Sequence, residues 1–531
     1  MRPVDRWDIA TAAVGAVAAM VAYALTVAPG LLRADSGEFQ TLAATLGYAH
    51  PTGYPWYLIL AHLVAAIPCG ELAWRVNLLS SLCAAAVVGQ VVLIARAWAV
   101  GRATSVAGAV ALAASPTFWS QAVIAEVYTP AMAVALAVIL CLIRWQRTER
   151  SRWLFFAGAL GGVVLGLHIT HGLMAPAVVV LLIWTPWRRR ANWAAAVGGA
   201  TAGIALLLAA YAVIDRADPS TNYLRTVVYP SRSLWGLGPE DFDSLADRVA
   251  LSLRAPQYQG LFARQSFSEM ARKLAWYLGN LPREFAGLWL AAAAAGVAAA
   301  LVQRRRWAVF LVLVALAHVA YATVYDMGGV HVLYLPTYAV VALFGALGLD
   351  AAGRSLARVA STRGWARLAP RAGFLLGALG LVIALLPLAA PGAWTSEGRR
   401  AAALPPEEAD APRGLEYSRR FQADARATVA SFEPGAVVFT GWCFLYPYYY
   451  AALIELGRDD VRFYQDYPQP DHFELADSVV ELVEAEWARR PIYFTHTPRR
   501  LVQRYDFAPV RHGSEVFYRV AGRRSGANQP D

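Results

Sequence analysis

Two carboxylates follow the first long apolar run of the chain, in the stretch RADSGEFQ at residues 33–40. Asp35 and Glu38 lie three residues apart, which is the spacing of a helix N-cap with its capping box. A carboxylate at the end of a hydrophobic segment also suits a catalytic acid at a membrane surface. The spacing favours a cap and the location favours catalysis, and both interpretations stay open at this point.

A short helix and a rigid loop are predicted directly after these acids. Apolar residues share one face of that helix: Phe39, Leu42, Ala43 and Leu46. Such a helix is expected to lie on the outer surface of the membrane. It is expected to break at HPTGYP, residues 50–55, where prolines and a glycine enforce a loop that carries His50 and Tyr54.

Two further motifs at the ends of apolar runs carry titratable groups. Glu126 and Tyr128 lie in SPTFWSQAVIAEVYTP, where a glutamate is either a substrate ligand or simply solvated. His168 and His171 flank a helical turn in GLHITHGLMAP, and they are either packing residues or donors to a phosphate or a developing oxyanion. Since no third ligand lies nearby, no metal site is predicted.

Cations that could hold a phosphate stand in the polar segment between apolar runs at 214–284. Arg225, Arg232 and Arg254 have the guanidinium geometry that suits a phosphate, although exposed loop arginines are common. His331 is a further candidate ligand at the end of two adjoining apolar runs.

Composition identifies a membrane protein. The chain has 531 residues, of which 58% are hydrophobic and 16% charged, whereas a soluble domain has roughly 25% charged residues. The formal net charge is +10, but the arginines cluster in short loops between apolar runs. No basic stripe is interleaved with aromatic residues, so nucleic-acid binding is not expected.

About eleven membrane spans are predicted, near 8–28, 76–98, 103–121, 127–143, 153–170, 172–186, 193–213, 286–302, 307–325, 331–349 and 372–390. The first run is too long for a signal peptide and is interpreted as an uncleaved anchor. With the amino terminus inside, alternation of sides brings every basic cluster to the cytoplasm: Arg96 and Arg102, 144–152, 188–190, 304–306 and 350–371. The loops 29–75 and 214–284 and the tail are therefore predicted to lie outside.

The tail is predicted to be a separate domain at 416–531, joined by a linker at 391–415 to a membrane part at 1–390. Amphipathic segments at 417–431 and 474–490 alternate with the strand-like stretches AVVFTG, VRFYQDY, PIYFTH and EVFYRV. That alternation favours a small α/β domain. Cys69 and Cys443 would both face outside, and the sequence leaves open whether they pair.

Six stretches together resemble a known family: ADSGEFQTLAATLGYAHPTGYPWY, WRVNLLSSLCAA, ASPTFWSQAVIAEVYT, GLHITHGL, APQYQGLF and VLYLPTYAVVALFGALGL. They are similar to a bacterial and eukaryotic family of GT-C membrane glycosyltransferases that includes the transmembrane protein O-mannosyltransferases and was long catalogued as a domain of unknown function. The similarity covers residues 26–350. The tail is less similar, since TGWCFLYPYYY has Trp442 and Cys443 where the family pattern has Gly and Asp.

The resemblance implies a polytopic α-helical GT-C fold with a small extracytoplasmic α/β domain. It also implies an inverting transfer of a sugar, mannose by family, from a polyprenyl-phosphate donor to a hydroxyl of a protein Ser or Thr. Asp35 would be the base that deprotonates the acceptor, and Glu38 would orient Asp35 or bind the acceptor. The other candidates would bind donor or acceptor: His50, Tyr54, Glu126, Tyr128, His168, His171, Arg225, Arg232, Arg254 and His331.

The expected location is a bacterial cytoplasmic membrane with the active site facing the periplasm. The lipid-linked sugar is the one ligand implied, and dependence on a divalent metal and the oligomeric state stay open. Two other functions are weighed. One is transfer to a glycolipid or polysaccharide, and the other is a transporter or membrane scaffold with a sensing tail. The second would require charged or broken helices at mid-membrane, which the sequence does not show.

Overall fold

The computed structural model describes residues 2–185, 190–363, 369–389, 415–469 and 473–524. The predicted linker 391–415, except its last residue, and Arg188, Arg189 and Arg367 of the basic clusters lie outside the described residues. The α-helices of six or more residues are Arg6–Ala24, Ala34–Thr45, Pro55–Ala65, Leu72–Ala97, Arg102–Ala114, Pro116–Ala122, Tyr128–Thr148, Arg152–Leu167, Ala175–Trp184, Arg190–Ala217, Leu245–Arg254, Phe267–Phe285, Gly287–Gln303, Arg305–Val324, Leu335–Thr362, Ala372–Leu385, Leu415–Ala430, Trp442–Tyr449 and Asp477–Glu486.

Seven helical stretches of the described chain are long and apolar enough to cross a membrane: Arg6–Ala24, Leu72–Ala97, Tyr128–Thr148, Arg190–Ala217, Arg305–Val324, Val330–Thr362 and Ala372–Ala389. An eighth candidate is the pair Phe267–Phe285 and Gly287–Gln303, which is bent by 106°. Shorter apolar helices include Arg102–Ala114 and Arg152–Leu167. The protein is therefore a multi-pass membrane protein, and the number of eleven spans remains a prediction.

Contacts group the chain into two compact units. The first comprises Met1–Val27, Asn77–Leu208 and Leu261–Arg413, and the second comprises Ala28–Val76, Ala209–Gly260 and Gly414–Asp531. The second unit thus joins most of the two predicted outer loops with the tail. The domain boundaries at 390 and 416 stay predictions, and the contacts show which distant segments pack as one body.

The amino terminus of the first unit carries a capping box and an ion-pair cluster. The side chain of Asp5 accepts a hydrogen bond from the amide of Asp8, and the side chain of Asp8 accepts one from the amide of Asp5. The buried carboxylate of Asp8 also accepts hydrogen bonds from Arg96 Nε at 2.7 Å and Arg102 Nε at 3.0 Å, and it contacts Arg2. Two arginines of a predicted cytoplasmic cluster and one from the amino terminus therefore meet at one acid, which compensates its burial.

Close helix packing in the first unit depends on glycine. In Arg152–Leu167, a Cβ atom on Gly162 would lie 1.9 Å from the carbonyl oxygen of Gly203 on Arg190–Ala217. One turn earlier, a Cβ atom on Gly158 would lie 2.7 Å from the amide nitrogen of Ala200. This is the small-residue spacing that lets membrane helices approach backbone to backbone.

The tail contains a five-stranded sheet: β1 Val437–Thr440, β2 Arg462–Gln465, β3 Ile492–Phe494, β4 Tyr505–His512 and β5 Glu515–Arg523. The strand order is β2-β1-β3-β5-β4, with β1 parallel to β2 and β3, and β5 antiparallel to β3 and β4. Phe439 and Phe494 stack on one face and join a core that includes Val479 of the helix Asp477–Glu486. The predicted α/β tail is confirmed, and β4 is a strand that the sequence patterns did not indicate.

The glycine contact predicts a sharp difference between two neighbouring substitutions. Gly162→Ala is expected to destabilise the first unit by about 1–3 kcal/mol, because the methyl group overlaps the backbone of the facing helix. Gly161→Ala is the matched control, since nothing lies within 4 Å of its added Cβ. Thermal unfolding in detergent measures both, and equal midpoints for the two variants would contradict the packing described.

Candidate functional site

The helix that carries the two acids is not capped by them. Ala34–Thr45 begins after Arg33, which makes no side-chain cap, so Asp35 and Glu38 are the second and fifth helical residues. The capping box predicted for this pair is therefore wrong. The physical reason is that the helix begins before Asp35, so neither acid is at the N-cap position, and each accepts a hydrogen bond from outside the helix instead.

The same helix is buried rather than amphipathic. Every side chain from Ser36 to Ala43 is buried, so the predicted position on the membrane surface is wrong for this segment. The helix Trp442–Tyr449 of the tail covers it: Thr41 Oγ1 donates to the carbonyl of Tyr446 at 2.9 Å. A Cβ atom on Gly37 would lie 2.5 Å from the carbonyl oxygen of Leu32 and 3.0 Å from Pro447. Glycine is thus required for this approach.

Glu38 holds His50 from within the protein. Its fully buried carboxylate accepts the His50 amide at 2.7 Å and faces His50 Nδ1 at 2.5 Å. Burial raises the pKa of Glu38, and the nearby imidazole opposes that shift. On the other edge of the ring, His50 Nε2 lies 3.1 Å from the hydroxyl of Tyr54. The loop residues singled out from the sequence therefore lie together with Glu38 and fix one orientation of the imidazole.

Asp35 is the accessible acid of the pair, because its side chain is 40% exposed whereas that of Glu38 is inaccessible. Trp442 Nε1 donates a hydrogen bond of 2.8 Å to Asp35 Oδ1. The second oxygen, Oδ2, lies 4.0 Å from His50 Nε2. One carboxylate oxygen is thus fixed by an N–H donor, and the other stands beside an imidazole with solvent access. Such a group can accept a proton from a bound substrate.

Trp442 and Tyr223 form the aromatic wall around Asp35, and the sequence did not identify either as a site residue. The Trp442 ring lies edge-on to His50 at 5.8 Å and to Tyr223 at 5.8 Å between centroids. The Tyr223 hydroxyl accepts a hydrogen bond of 2.8 Å from Gln257 Nε2, a residue of the motif APQYQGLF. Two features could have identified Trp442 as a site residue. It departs from the family pattern, and a half-buried indole N–H needs a hydrogen-bond acceptor.

The three candidate arginines have different surroundings. Arg225 pairs with Asp218 through two hydrogen bonds, and it lines a cavity of 580 Å³. The other residues of that cavity include Arg248, Arg462, Tyr229 and Tyr464. Arg232 stacks 4.8 Å above the Tyr229 ring, and Arg254 is exposed at the end of Leu245–Arg254. Neither of these two arginines lines the cavity. Of the three, Arg225 alone therefore lines that polar cavity.

Within the first unit, three of the candidates form one cluster. The rings of Tyr128 and His168 lie 5.1 Å apart, His168 and His171 6.1 Å, and His171 and His318 6.0 Å. His318 was not identified from the sequence. His331 lies against Trp276 at 6.5 Å instead, and the backbone of Glu126 exchanges hydrogen bonds with Ser80 Oγ.

The motif SPTFWSQ has a structural partner that the sequence did not reveal. Glu284 is buried and accepts hydrogen bonds from Ser115 Oγ at 2.5 Å, Thr117 Oγ1 at 2.6 Å and Asn280 Nδ2 at 3.1 Å. Each carboxylate oxygen is satisfied, so this acid fixes the start of the helix Pro116–Ala122 to the end of Phe267–Phe285.

The fold defines the class of protein. The crystal structure of ArnT from Cupriavidus metallidurans in the apo state superposes with a TM-score of 0.51 and covers 97% of both chains. At 13% identity this likeness shows the fold alone. The architecture is the GT-C fold with a small carboxy-terminal sheet domain, as predicted.

The sequence family is narrower. Residues 35–191 match the family described as the Protein O-mannosyl-transferase TMEM260 N-terminal domain. The Protein O-mannosyl-transferase TMEM260 of Mus musculus is 28% identical over 166 residues, which are 31% of this chain and 23% of the relative. The Dictyostelium discoideum protein of the same name is 24% identical over 175 residues, 32% of this chain and 21% of the relative. The resemblance to a GT-C, O-mannosyltransferase-like family is confirmed, and the matched part is less than a quarter of each relative.

The buried helix contact predicts that Gly37→Ala destabilises the second unit by about 1–3 kcal/mol, because the added methyl group meets the Leu32 carbonyl and Pro447. Gly522→Ala on β5 of the same unit, where the added Cβ also has nothing within 4 Å, is the control. Thermal unfolding followed by proteolysis of the tail measures the effect. A Gly37→Ala protein as stable as the control would refute the close approach.

Proposed function

We propose that the protein is an inverting glycosyltransferase that moves a sugar from a polyprenyl-phosphate donor to a hydroxyl acceptor on the outer side of the cytoplasmic membrane. The observation that carries the proposal is the accessible Asp35 carboxylate, which Trp442 fixes and which stands beside the imidazole of His50. The GT-C fold and the names of the relatives support mannose as the sugar and a protein Ser or Thr as the acceptor.

In the proposed reaction, Asp35 Oδ2 removes the proton of the acceptor hydroxyl while that oxygen attacks C1 of the sugar. The bond between C1 and the phosphate oxygen breaks on the opposite face, and the electron pair leaves with the polyprenyl phosphate. At C1 one C–O bond forms while the other breaks on the opposite face, so the configuration at C1 is inverted. The proton on Asp35 then passes to solvent, which reaches this side chain.

Glu38 has a positioning role in this proposal. Since its side chain has no exposed surface, Glu38 cannot touch an acceptor. Of the two roles expected from the sequence, acceptor binding and orientation of Asp35, we therefore propose the second. Glu38 acts through His50, because it accepts the backbone amide of His50 and contacts Nδ1 of the ring. A fixed imidazole beside Asp35 keeps the base in place before substrate arrives, so less ordering is left for the reaction step.

The departing phosphate needs cationic or hydrogen-bonding partners. Arg225 is the arginine we favour, because it lines a polar cavity beside Tyr229 and Tyr464. The remaining candidates for donor and acceptor binding are Tyr54, Glu126, Tyr128, His168, His171, Arg232, Arg254 and His331.

Replacement of the base is the main test. Asp35→Asn is expected to lower sugar transfer from polyprenyl-phosphate mannose by a factor of about 100 to 10,000, because an amide cannot accept the proton. Asp424→Asn removes an exposed carboxylate from the helix Leu415–Ala430 and serves as control. The assay uses purified protein, labelled donor and an extract of secreted acceptor proteins. Equal transfer by wild type and Asp35→Asn would exclude this role for Asp35.

Trp442→Phe tests the fixing hydrogen bond separately. Loss of the N–H donor removes the hydrogen bond that fixes Asp35 Oδ1, so the carboxylate is less well ordered for the reaction. Transfer at neutral pH should fall by about three- to tenfold. Trp487→Phe, on a half-buried tryptophan of the tail core, is the control. Transfer by Trp442→Phe at the wild-type rate would contradict the fixing role of the indole.

A further inference from the structure

The parallel part of the tail sheet contains a topological switch point. The chain runs from β1 to β2 on one side and then returns to β3 on the other side of β1. In open α/β sheets, ligands bind in the crevice outside the carboxyl ends of the strands where the order reverses in this way. In this tail, that crevice lies at the carboxyl ends of β1 and β3.

Polar side chains from the two outer strands meet above the end of β1. Asp466 and Tyr467 follow β2, and His496 follows β3. The Tyr467 hydroxyl lies 2.6 Å from His496 Nε2, and Asp466 Oδ2 lies 3.5 Å from His496 Nδ1. Because β2 and β3 are both neighbours of β1, their backbones are about 10 Å apart at this point. The three side chains therefore bridge the carboxyl end of β1.

The bridge formed by these three side chains contains a buried acid, Asp466, that the packing of the tail core does not require. The Asp466 side chain is 7% exposed and accepts hydrogen bonds from the Tyr467 amide at 2.8 Å and the Thr495 hydroxyl at 3.3 Å. Burial raises the pKa of Asp466. A buried carboxyl lowers stability relative to an apolar residue, so its presence at a strand end indicates a site that orients other groups. The groups it orients, His496 and Tyr467, stack with ring centroids 4.9 Å apart and remain partly exposed.

The crevice also adjoins the candidate base. Trp442 follows the last residue of β1, Thr440, by two positions, so their Cα atoms are at most about 7 Å apart. The Asp466 amide donates to the Thr440 carbonyl at 3.2 Å, which fixes the bridge to the same strand end. Trp442 in turn donates to Asp35. All of these residues belong to the second unit.

We propose that the crevice above β1 binds the polypeptide acceptor and presents its Ser or Thr hydroxyl to Asp35. The Tyr467 hydroxyl and the His496 imidazole bond to peptide groups of the acceptor, and their stacked rings form a platform for a flat part of it. Asp466 is a positioning residue that acts through His496. This inference rests on the proposed function and adds the acceptor site to it.

Kinetics with two kinds of acceptor test the inference. Tyr467→Phe and His496→Ala are expected to raise the KM for an acceptor peptide by about three- to tenfold each. Their rates of donor hydrolysis, in which water replaces the peptide, should match wild type, and so should their thermal midpoints. Tyr505→Phe removes a hydroxyl at the start of β4, on the opposite edge strand of the sheet, and is the matched control with an unchanged KM.

Three outcomes would overturn the inference. The first is an unchanged peptide KM in both variants, and the second is a parallel loss of peptide transfer, hydrolysis and thermal stability, which would give the bridge a structural role only. The third is a raised KM for a glycolipid acceptor with none for the peptide. If wild type moves sugar from the lipid donor neither to peptide nor to water, the proposed function itself fails. That result is distinguishable because it does not involve the variants.

Discussion

The second unit is organised around the contact between two short helices, Ala34–Thr45 and Trp442–Tyr449, which are separated by about four hundred residues of sequence. Their approach requires the absence of a side chain at Gly37, where Pro447 packs, and the hydroxyl of Thr41 bonds across it to Tyr446. The same contact delivers the indole of Trp442 to Asp35. This one helix contact therefore determines the backbone packing, the burial of the acid-bearing helix and the position of the Asp35 carboxylate.

Within that contact the environments of the two acids differ, which supports the separate roles proposed for them. Glu38 is enclosed, and the cost of burying it is offset by the amide and the imidazole of His50. Asp35 is one turn away and has solvent access, one N–H donor and an unoccupied oxygen. Two carboxylates with such different surroundings can take different roles in one site.

Local sequence patterns predicted the features that depend on near neighbours. Hydropathy indicated a multi-pass protein, alternation indicated the tail strands, and HPTGYP indicated the loop that carries His50. The capping box and the surface helix were wrong because both assume that residues 34–45 have no tertiary partner. The tail covers that helix. Trp442 donates a hydrogen bond to Asp35, and His50 contacts Glu38. Likewise, the bond from Ser115 to Glu284 joins residues too distant for any spacing rule.

The anomeric configuration of the product tests whether one accessible carboxylate, Asp35, acts as a base for a direct displacement. Wild-type protein is incubated with an acceptor peptide and a polyprenyl-phosphate mannose of defined configuration, and the linkage formed is determined by NMR. Inversion at C1 is expected, since Asp35 removes a proton and forms no bond to the sugar. A linkage with retained configuration would contradict it, because retention requires two displacements through a covalent intermediate on a carboxylate.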